Sequence, residues 1–322
     1  MATSTASNFR QNADLWFSPE VVILRAQKDV FRIFVSILRA KSSVFADMFS
    51  FPSPPTSEVE TIDGIQVVDL HDDPEELGAF LKAIFDADFF LPPPTKTITK
   101  LQDIIGILRM AHKYDVAFLR RRALQHLELL YRVHLGEPGE SPGWDSVDQS
   151  RYSSDKDRDL IVIKAAVEVG ATWLLPAAYY SLCAGNDIRE IMTDGSPWND
   201  LGDPQKVVCI TGYTALLQYS PKMWQSLLTP SNEDYCEDPA ECDARRLELA
   251  SALLTFGSIR HALGTMDQAW WASAGQMFCS HCYGDLEASP EARVLGGASF
   301  FVWASSVAGV GKRAQFRTAR SH

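Results

Sequence analysis

Cysteine is scarce in this chain and occurs late. Six cysteines are found in 322 residues, and none precedes Cys183. Small secreted proteins that depend on disulfides carry a denser set, so the sequence favours a reducing compartment. The first residues lack the basic start and apolar run of a secretory signal, and no Asn-x-Ser/Thr acceptor occurs. We therefore expect an intracellular protein of the cytoplasm or nucleus.

Basic residues are also in short supply. The chain has 30 lysine and arginine residues against 41 aspartate and glutamate residues, a formal net charge of −11. An acidic surface repels a phosphate backbone, so we expect no nucleic-acid partner. The 46% of hydrophobic and 22% of charged residues are typical of a globular protein. A length of 322 residues is enough for about two domains.

Long hydrophobic runs are nearly absent. Residues 294–311 are 18 residues without a charge, which is the lower limit for a membrane-spanning helix. Four glycines and three serines dilute the apolar character of this segment. We interpret it as a buried terminal helix or a poorly ordered tail, and we expect no membrane span.

Catalytic signatures are missing as well. The chain contains neither a Gly-x-Ser-x-Gly nucleophile elbow nor a His-Glu-x-x-His zinc-protease motif. Gly309-Val310-Gly311-Lys312 resembles part of a phosphate-binding loop. However, Ser306 replaces the first glycine of that loop, and Arg313 replaces the magnesium-binding Ser/Thr. We predict that the protein is not an enzyme.

Short apolar runs in the first part of the chain predict a small sheet. Residues 21–24 and 30–35 predict two strands of a hairpin around Gln27-Lys28-Asp29. Residues 65–70 predict a third strand.

Helical patterns follow these strands. Residues 36–41 and 43–50 predict two short helices that each open on a serine. Asp73-Pro74 predicts the cap and first turn of a helix that ends near Phe85. After the prolines at 92–94, one helical stripe is shared by four apolar residues: Ile98, Leu101, Ile105 and Leu108.

Three segments in this order resemble the BTB/POZ family. EVVILRAQKDVFRIFVSIL at 20–38 resembles the opening hairpin and first helix of that domain. KSSVFADMF at 41–49 is similar to its Ser-x-x-Phe-x-x-Met-Phe helix, and ILRMAHKYDVAFLRRRAL at 107–124 is similar to a helical segment common in fungal members. The resemblance implies an α+β domain over residues 14–132, in which helices cover a small sheet.

The composition changes beyond this domain. Residues 136–143, GEPGESPG, offer little that can pack, so we place a linker at 133–157. Helical patterns within residues 158–305 predict a mainly α-helical C-terminal region. Residues 306–322 form a basic tail.

The resemblance also implies a pairing surface. Glu20 and Arg32 match an acidic and a basic position that line a charged pocket at the BTB dimer, although an ordinary pair of solvated charges is the alternative. Phe34-Val35 replace a His-Lys pair that many members carry. These two side chains either lie in the core or enlarge an apolar patch at the dimer surface. We expect an adaptor or scaffold that associates with itself or with another BTB protein.

A second function is left open by the same resemblance. Members that recruit a cullin often show a hydrophobic-x-Glu pattern after the Met-Phe helix, where this chain has Phe51-Pro52-Ser53. A substrate receptor of a cullin-based ubiquitin ligase, with a cullin as partner, is therefore an alternative function.

The C-terminal cysteines raise a third hypothesis. Cys279 and Cys282 are separated by two residues and can hold one edge of a tetrahedral zinc site, which Cys236 and Cys242 could close. The Cys-x₅-Cys spacing is wide for such a site, and roughly 40 residues separate the pairs. Reduced cysteines that pack as small apolar side chains, with no cofactor, are the alternative. With zinc, the protein would be a zinc-dependent regulator or enzyme.

Overall fold

The computed structural model describes the following residues: 12, 16–51, 60–94, 97–131, 146–152, 154–193, 197–232, 234–255 and 275–288. Only the backbone is described at 218–228, 249 and 252–255. The uncharged segment 294–311, with its glycine-rich 309–312, and the basic tail 306–322 lie outside the described residues.

The chain divides into two compact units, residues 1–126 and 127–322. The boundary falls inside the helix Ala117–Leu130. The predicted linker at 133–157 is described only at 146–152 and 154–157, and a helix begins within it at Asp155.

A four-stranded sheet forms one layer of the N-terminal unit. Its strands are Val21–Ala26 (β1), Asp29–Phe34 (β2), Thr61–Ile62 (β3) and Ile65–Leu70 (β4), in the spatial order β2-β1-β4-β3. β1 pairs antiparallel with β2 and parallel with β4. Both faces of β1 are covered, since Ile23 and Leu24 point to opposite sides and are 5% and 0% exposed. The predicted hairpin and the predicted third strand are confirmed.

The short strand β3 was not predicted from the sequence. Asp63 and Gly64 have φ values of 53° and 73°, so both central residues of this turn are in the left-handed region. They join β3 to β4 as an antiparallel hairpin. Asp-Gly is one of the dipeptides that adopt this turn most readily, and it is the signal that identifies the hairpin.

Helices cover the sheet. The helices that begin in the N-terminal unit are Val35–Lys41 (α1), Ser43–Met48 (α2), Pro74–Phe85 (α3), Leu101–Lys113 (α4) and Ala117–Leu130 (α5), and a two-residue strand, Thr99–Lys100 (β5), precedes α4. A Cβ atom at Gly78 of α3 would lie 3.5 Å from the Phe31 ring of β2. A Cβ atom at Gly106 of α4 would lie 3.1 Å from the Cα atom of Glu76. Glycine at position 106 therefore lets α4 lie close to α3, whereas a Cβ atom at position 78 would make only an ordinary van der Waals contact with the sheet.

The helix starts differ in part from the prediction. Asp73 caps α3 as predicted, because its carboxylate accepts hydrogen bonds from the amides of Glu75 and Glu76. α1 begins one residue early, at Val35, and has no side-chain cap. α2 is capped by Ser42, whose hydroxyl accepts from the amide of Phe45 at 3.0 Å.

The apolar stripe predicted from Ile98 is wrong at its first residue. α4 begins at Leu101, and the side chain of Ile98 is 64% exposed. Leu101, Ile105 and Leu108 are buried as the helical spacing predicts.

Tyr114 joins the elements of the N-terminal unit. Its ring stacks on Phe45 of α2 with 4.4 Å between centroids and on Phe80 of α3 at 5.7 Å. Its hydroxyl donates to the buried carboxylate of Asp72, which also accepts from Lys113. Burial and the Asp72 carboxylate raise the pKa of Tyr114, so the hydroxyl stays protonated and donates.

The stacked Phe45 provides a test of this core. Phe45 is 0% exposed, and Phe45→Ala should lower the free energy of unfolding by about 3–5 kcal/mol because it leaves a cavity beside Tyr114. Phe51 is 74% exposed, so the matched Phe51→Ala should change the free energy of unfolding by under about 0.5 kcal/mol. Urea unfolding of both variants measures these changes. Equal losses of unfolding free energy in the two variants would contradict the buried packing of Phe45.

His126 is a buried histidine of the same unit. It is 3% exposed, stacks on Phe90 with 5.1 Å between ring centroids, and places Nε2 2.9 Å from the carbonyl oxygen of Leu91. Burial lowers the pKa of His126 below its ordinary value. At a pH between the lowered folded pKa and the ordinary value, the ring is therefore neutral in the folded chain and protonated in the unfolded chain.

This difference makes stability depend on pH. The contribution of His126 is fully present above a pH of about 6.5 and is lost as the pH falls from there toward the lowered folded pKa, because the unfolded chain then binds more protons. We expect His126→Gln to lose less unfolding free energy than the wild type when the pH falls from neutral to mildly acidic. Phe51→Ala removes an exposed side chain that does not titrate, and as the control it should keep the wild-type dependence. Urea titrations at both pH values measure the effect, and a His126→Gln dependence equal to the wild type would refute it.

The described part of the C-terminal unit is mainly helical. After a two-residue strand, Val147–Asp148 (β6), it contains helices at Asp155–Glu168 (α6), Leu175–Gly185 (α7), Ile188–Ile191 (α8), Asp203–Leu228 (α9), Pro239–Thr255 (α10) and Ser280–Ala288 (α11). α7 packs against both α6 and α9, and α9 against α10. An α+β unit with a helical region after it agrees with the predicted fold class. None of the described helices has the length and apolarity needed to cross a membrane.

A buried ionic network fixes the start of α6. Asp159 is 0% exposed and accepts hydrogen bonds from the hydroxyl of Tyr131 at 2.7 Å and from Nε of Arg158 at 3.0 Å. Arg158 also donates to Asp155 and Gln149. These contacts give Asp159 a structural role.

Candidate functional site

The four cysteines predicted as metal ligands come together in the C-terminal unit. The Sγ atoms of Cys236, Cys242, Cys279 and Cys282 all lie within 4.8 Å of one another. Cys236 Sγ is 3.5 Å from Cys282 Sγ and 3.8 Å from Cys279 Sγ. All four are free thiols. The fold thus closes the 43-residue separation between Cys236 and Cys279.

The wide spacing of the first pair has a structural explanation. Cys236 ends a turn in which its amide donates to the carbonyl of Asn232 at 2.9 Å. Asp238 then caps α10, its carboxylate accepting from the amide of Glu241 at 3.1 Å. Cys242 follows in the first turn of α10, where its amide donates to the carbonyl of Asp238 at 3.0 Å. The residues between the two cysteines therefore contain the cap and the first residues of α10.

The second pair lies at the start of α11. The carbonyl of Cys279 accepts from the amide of Tyr283 at 2.9 Å, and its Sγ accepts from the amide of Cys282 at 3.5 Å, so Cys279 occupies the N-cap position. Cys282 lies in the first turn of the helix. The N-termini of α10 and α11 thus both lie at the cluster, and the positive end of a helix dipole favours thiolate over thiol.

An apolar shell surrounds the sulfur atoms. Cys282 is 0% and Cys242 3% exposed, and they pack with buried Phe278 and with the partly buried Met277 and Tyr283. Arg246 follows one helical turn after Cys242 and is 6% exposed, with its guanidinium 5.9 Å from the centre of the Phe278 ring. A shell of this kind restricts the access of water to a site.

Backbone amides and burial set the charge of the sulfur atoms. Hydrogen bonds from the amides of Cys282 and Glu237 lower the pKa of Cys279 to about 6. Burial raises the pKa of Cys236 to about 12 and also raises that of Cys242. Without a metal ion, Cys279 is therefore the thiolate of the group and accepts hydrogen bonds from its neighbours.

The residues predicted for the pairing surface lie in different environments. Val35 is 2% exposed and begins α1 in the core, whereas Phe34 at the end of β2 is 50% exposed. Arg32 is exposed on the same face of β2 as Phe34. Glu20 is also exposed, and its carbonyl accepts from the amide of Val35 at 3.0 Å. Within the described part of the chain, no ion pair includes Glu20 or Arg32.

Sequence reasoning missed two aromatic residues near Phe34. The hydroxyl of Ser36 donates to the carbonyl of Ser18 at 2.9 Å and thereby holds the segment before β1 at the start of α1. Trp16 and Phe17, which directly precede Ser18, are 66% and 49% exposed. We refer to Trp16, Phe17 and Phe34 as the aromatic patch. Each lies within two residues in sequence of Ser18 or Ser36, the two residues that this hydrogen bond joins. The apolar pair Trp16-Phe17 ahead of the first strand is the signal in the sequence.

The cysteine cluster and the aromatic patch are the two candidate sites of the described chain. Comparison with protein-family models, with curated proteins and with solved structures gave no match. The chemistry of each site follows from its own residues: thiol ligands in the C-terminal unit, and exposed aromatic rings beside charges in the N-terminal unit.

Proposed function

We propose that the protein is an interaction adaptor whose N-terminal unit associates with a second copy of itself through the aromatic patch. The observation that carries this proposal is the exposure of three aromatic side chains beside one hydrogen bond: Trp16, Phe17 and Phe34. Aromatic residues are enriched at the centres of protein interfaces and are often among the residues that contribute most to binding. In this proposal the protein acts by association and not by catalysis.

The order of elements supports this function. The N-terminal unit runs strand, strand, two short helices, strand, helix, helix, helix, with the two short strands β3 and β5 in addition. This is the order expected from the resemblance to the BTB/POZ domain, a domain that typically dimerises. The resemblance therefore favours a second copy, or another BTB protein, as the partner.

The charges near the patch favour a twofold arrangement. In a symmetric dimer the same surface is used by both copies, so a residue pair that meets once meets twice. Glu20 and Arg32 have opposite charges and are both exposed. Glu20 directly precedes β1 and Arg32 lies two residues before the end of β2, so both are near the open end of the hairpin. In the dimer, Glu20 of each copy would face Arg32 of the other. A stable interface of this kind buries on the order of 1,200–2,000 Å² in total.

Reversing one of these charges tests the proposal. Arg32→Glu places two carboxylates at each of the two symmetry-related contacts where an ion pair is expected, and an unpaired or repelled charge at an interface costs several kcal/mol. We expect the dissociation constant of the dimer to rise by at least about tenfold. Sedimentation equilibrium of the full chain at micromolar concentration measures this change.

Two further variants make the result specific. Glu20→Arg combined with Arg32→Glu restores opposite charges and should recover the dimer. Arg121→Glu, at an exposed position of α5, should leave it unchanged. A wild-type chain that is a monomer at these concentrations would exclude self-association, and a dimer indifferent to Arg32→Glu would exclude the charge pairing.

A further inference from the structure

We propose that Cys236, Cys242, Cys279 and Cys282 bind one zinc ion and form a closed structural centre in the C-terminal unit. The proposal is independent of self-association, since it rests on the convergence of four sulfur atoms in a different unit. Among the described residues, these four cysteines form the only group of three or more ligand side chains that lie close enough together to hold a metal ion.

The sulfur spacing fits a single tetrahedral ion. A Zn–S bond is about 2.3 Å, so the sulfur atoms of a regular tetrahedron lie about 3.8 Å apart. The two sulfur–sulfur distances from Cys236, 3.5 and 3.8 Å, lie close to this value, and all the others are within 4.8 Å. The sulfur atoms of a disulfide are only about 2.05 Å apart.

A short sulfur–sulfur distance alone does not define a metal centre, as a second pair of cysteines in this chain shows. Cys183 of α7 and Cys209 of α9 also have sulfur atoms 3.8 Å apart. No further metal ligand joins these two in any cluster of the described residues. Two buried thiols of this kind are small apolar side chains, whereas four converging thiols form a complete ligand set.

The surroundings can stabilise the charge of such a centre. Zinc with four thiolates carries a net charge of about −2, which an apolar shell alone would not tolerate. The N-termini of α10 and α11 both lie at the sulfur atoms, and the amide of Cys282 donates to Cys279 Sγ. The guanidinium of Arg246 lies in the same shell, over Phe278.

The ligand set indicates a structural role. Catalytic zinc sites keep one position open for water or substrate, whereas four cysteines fill the coordination sphere. A redox role for Cys279 and Cys282 is not favoured either, because residues 275–277 before them are helical and such motifs follow a strand. The ion would join the start of α10 to the start of α11, and its binding energy would contribute directly to folding.

Metal analysis of the full chain tests the proposal. The protein is purified without chelator, and its metals are measured by inductively coupled plasma mass spectrometry. We expect about one zinc ion per chain, reduced to near zero in Cys282→Ser and in Cys236→Ser. The matched control Cys183→Ser removes a buried cysteine outside the cluster and should retain the zinc.

A spectroscopic measurement covers the case in which the cysteine variants fail to fold. Replacement of zinc by Co²⁺ in the wild-type chain should give the intense visible bands of a tetrahedral site and the near-ultraviolet absorption of thiolate–cobalt charge transfer. Zinc content near zero without these bands would overturn the proposal. So would full zinc retention in folded Cys282→Ser and Cys236→Ser, iron in place of zinc, or disulfides between these four cysteines in freshly purified protein.

Discussion

The N-terminal unit depends on the position of one side chain, Tyr114. Its ring fills the space between Phe45 and Phe80, and its hydroxyl satisfies the carboxylate of Asp72, which the fold has removed from water. Its own carbonyl accepts from the hydroxyl of Ser42, the residue that caps α2. One residue thus combines apolar packing with the pairing of buried polar groups, and burial of those polar groups would be unfavourable without the pairing. The exposed hairpin end and aromatic patch are features of the surface around this core.

Local patterns in the sequence predicted most of this unit. The β-branched run of β1, the cap and proline of α3 and the apolar stripe of α4 each depend on residues a few positions apart, which is the range over which sequence patterns are informative. Ile98 was assigned to the wrong element because a periodic residue in front of a helix is indistinguishable by spacing from one within it. β3 is only two residues long, so its turn, Asp63-Gly64, is a stronger signal than its strand.

The candidate sites were harder to predict because they depend on distant contacts. The four cysteines were identified from the sequence, but the wide spacing of Cys236 and Cys242 argued against a metal, because the cap and helix start between them are not evident from spacing alone. Whether Phe34 or Val35 faces the solvent depends on where β2 ends and α1 begins, a one-residue difference that reverses the direction of a side chain. Trp16 and Phe17 gain significance only from the hydrogen bond between Ser36 and Ser18.

The meeting of two helix N-termini at the cysteine cluster has an electrostatic consequence. α10 and α11 turn ends of like partial charge toward each other, and two such ends repel when nothing lies between them. The negative charge that the lowered pKa gives to the Cys279 sulfur offsets this repulsion and favours an arrangement in which the two helices begin side by side. Any chemistry that removes that charge, such as alkylation or oxidation to a disulfide, does more than consume a thiol. It also removes the charge that offsets the repulsion between the N-termini of α10 and α11, and leaves apolar packing to hold the junction.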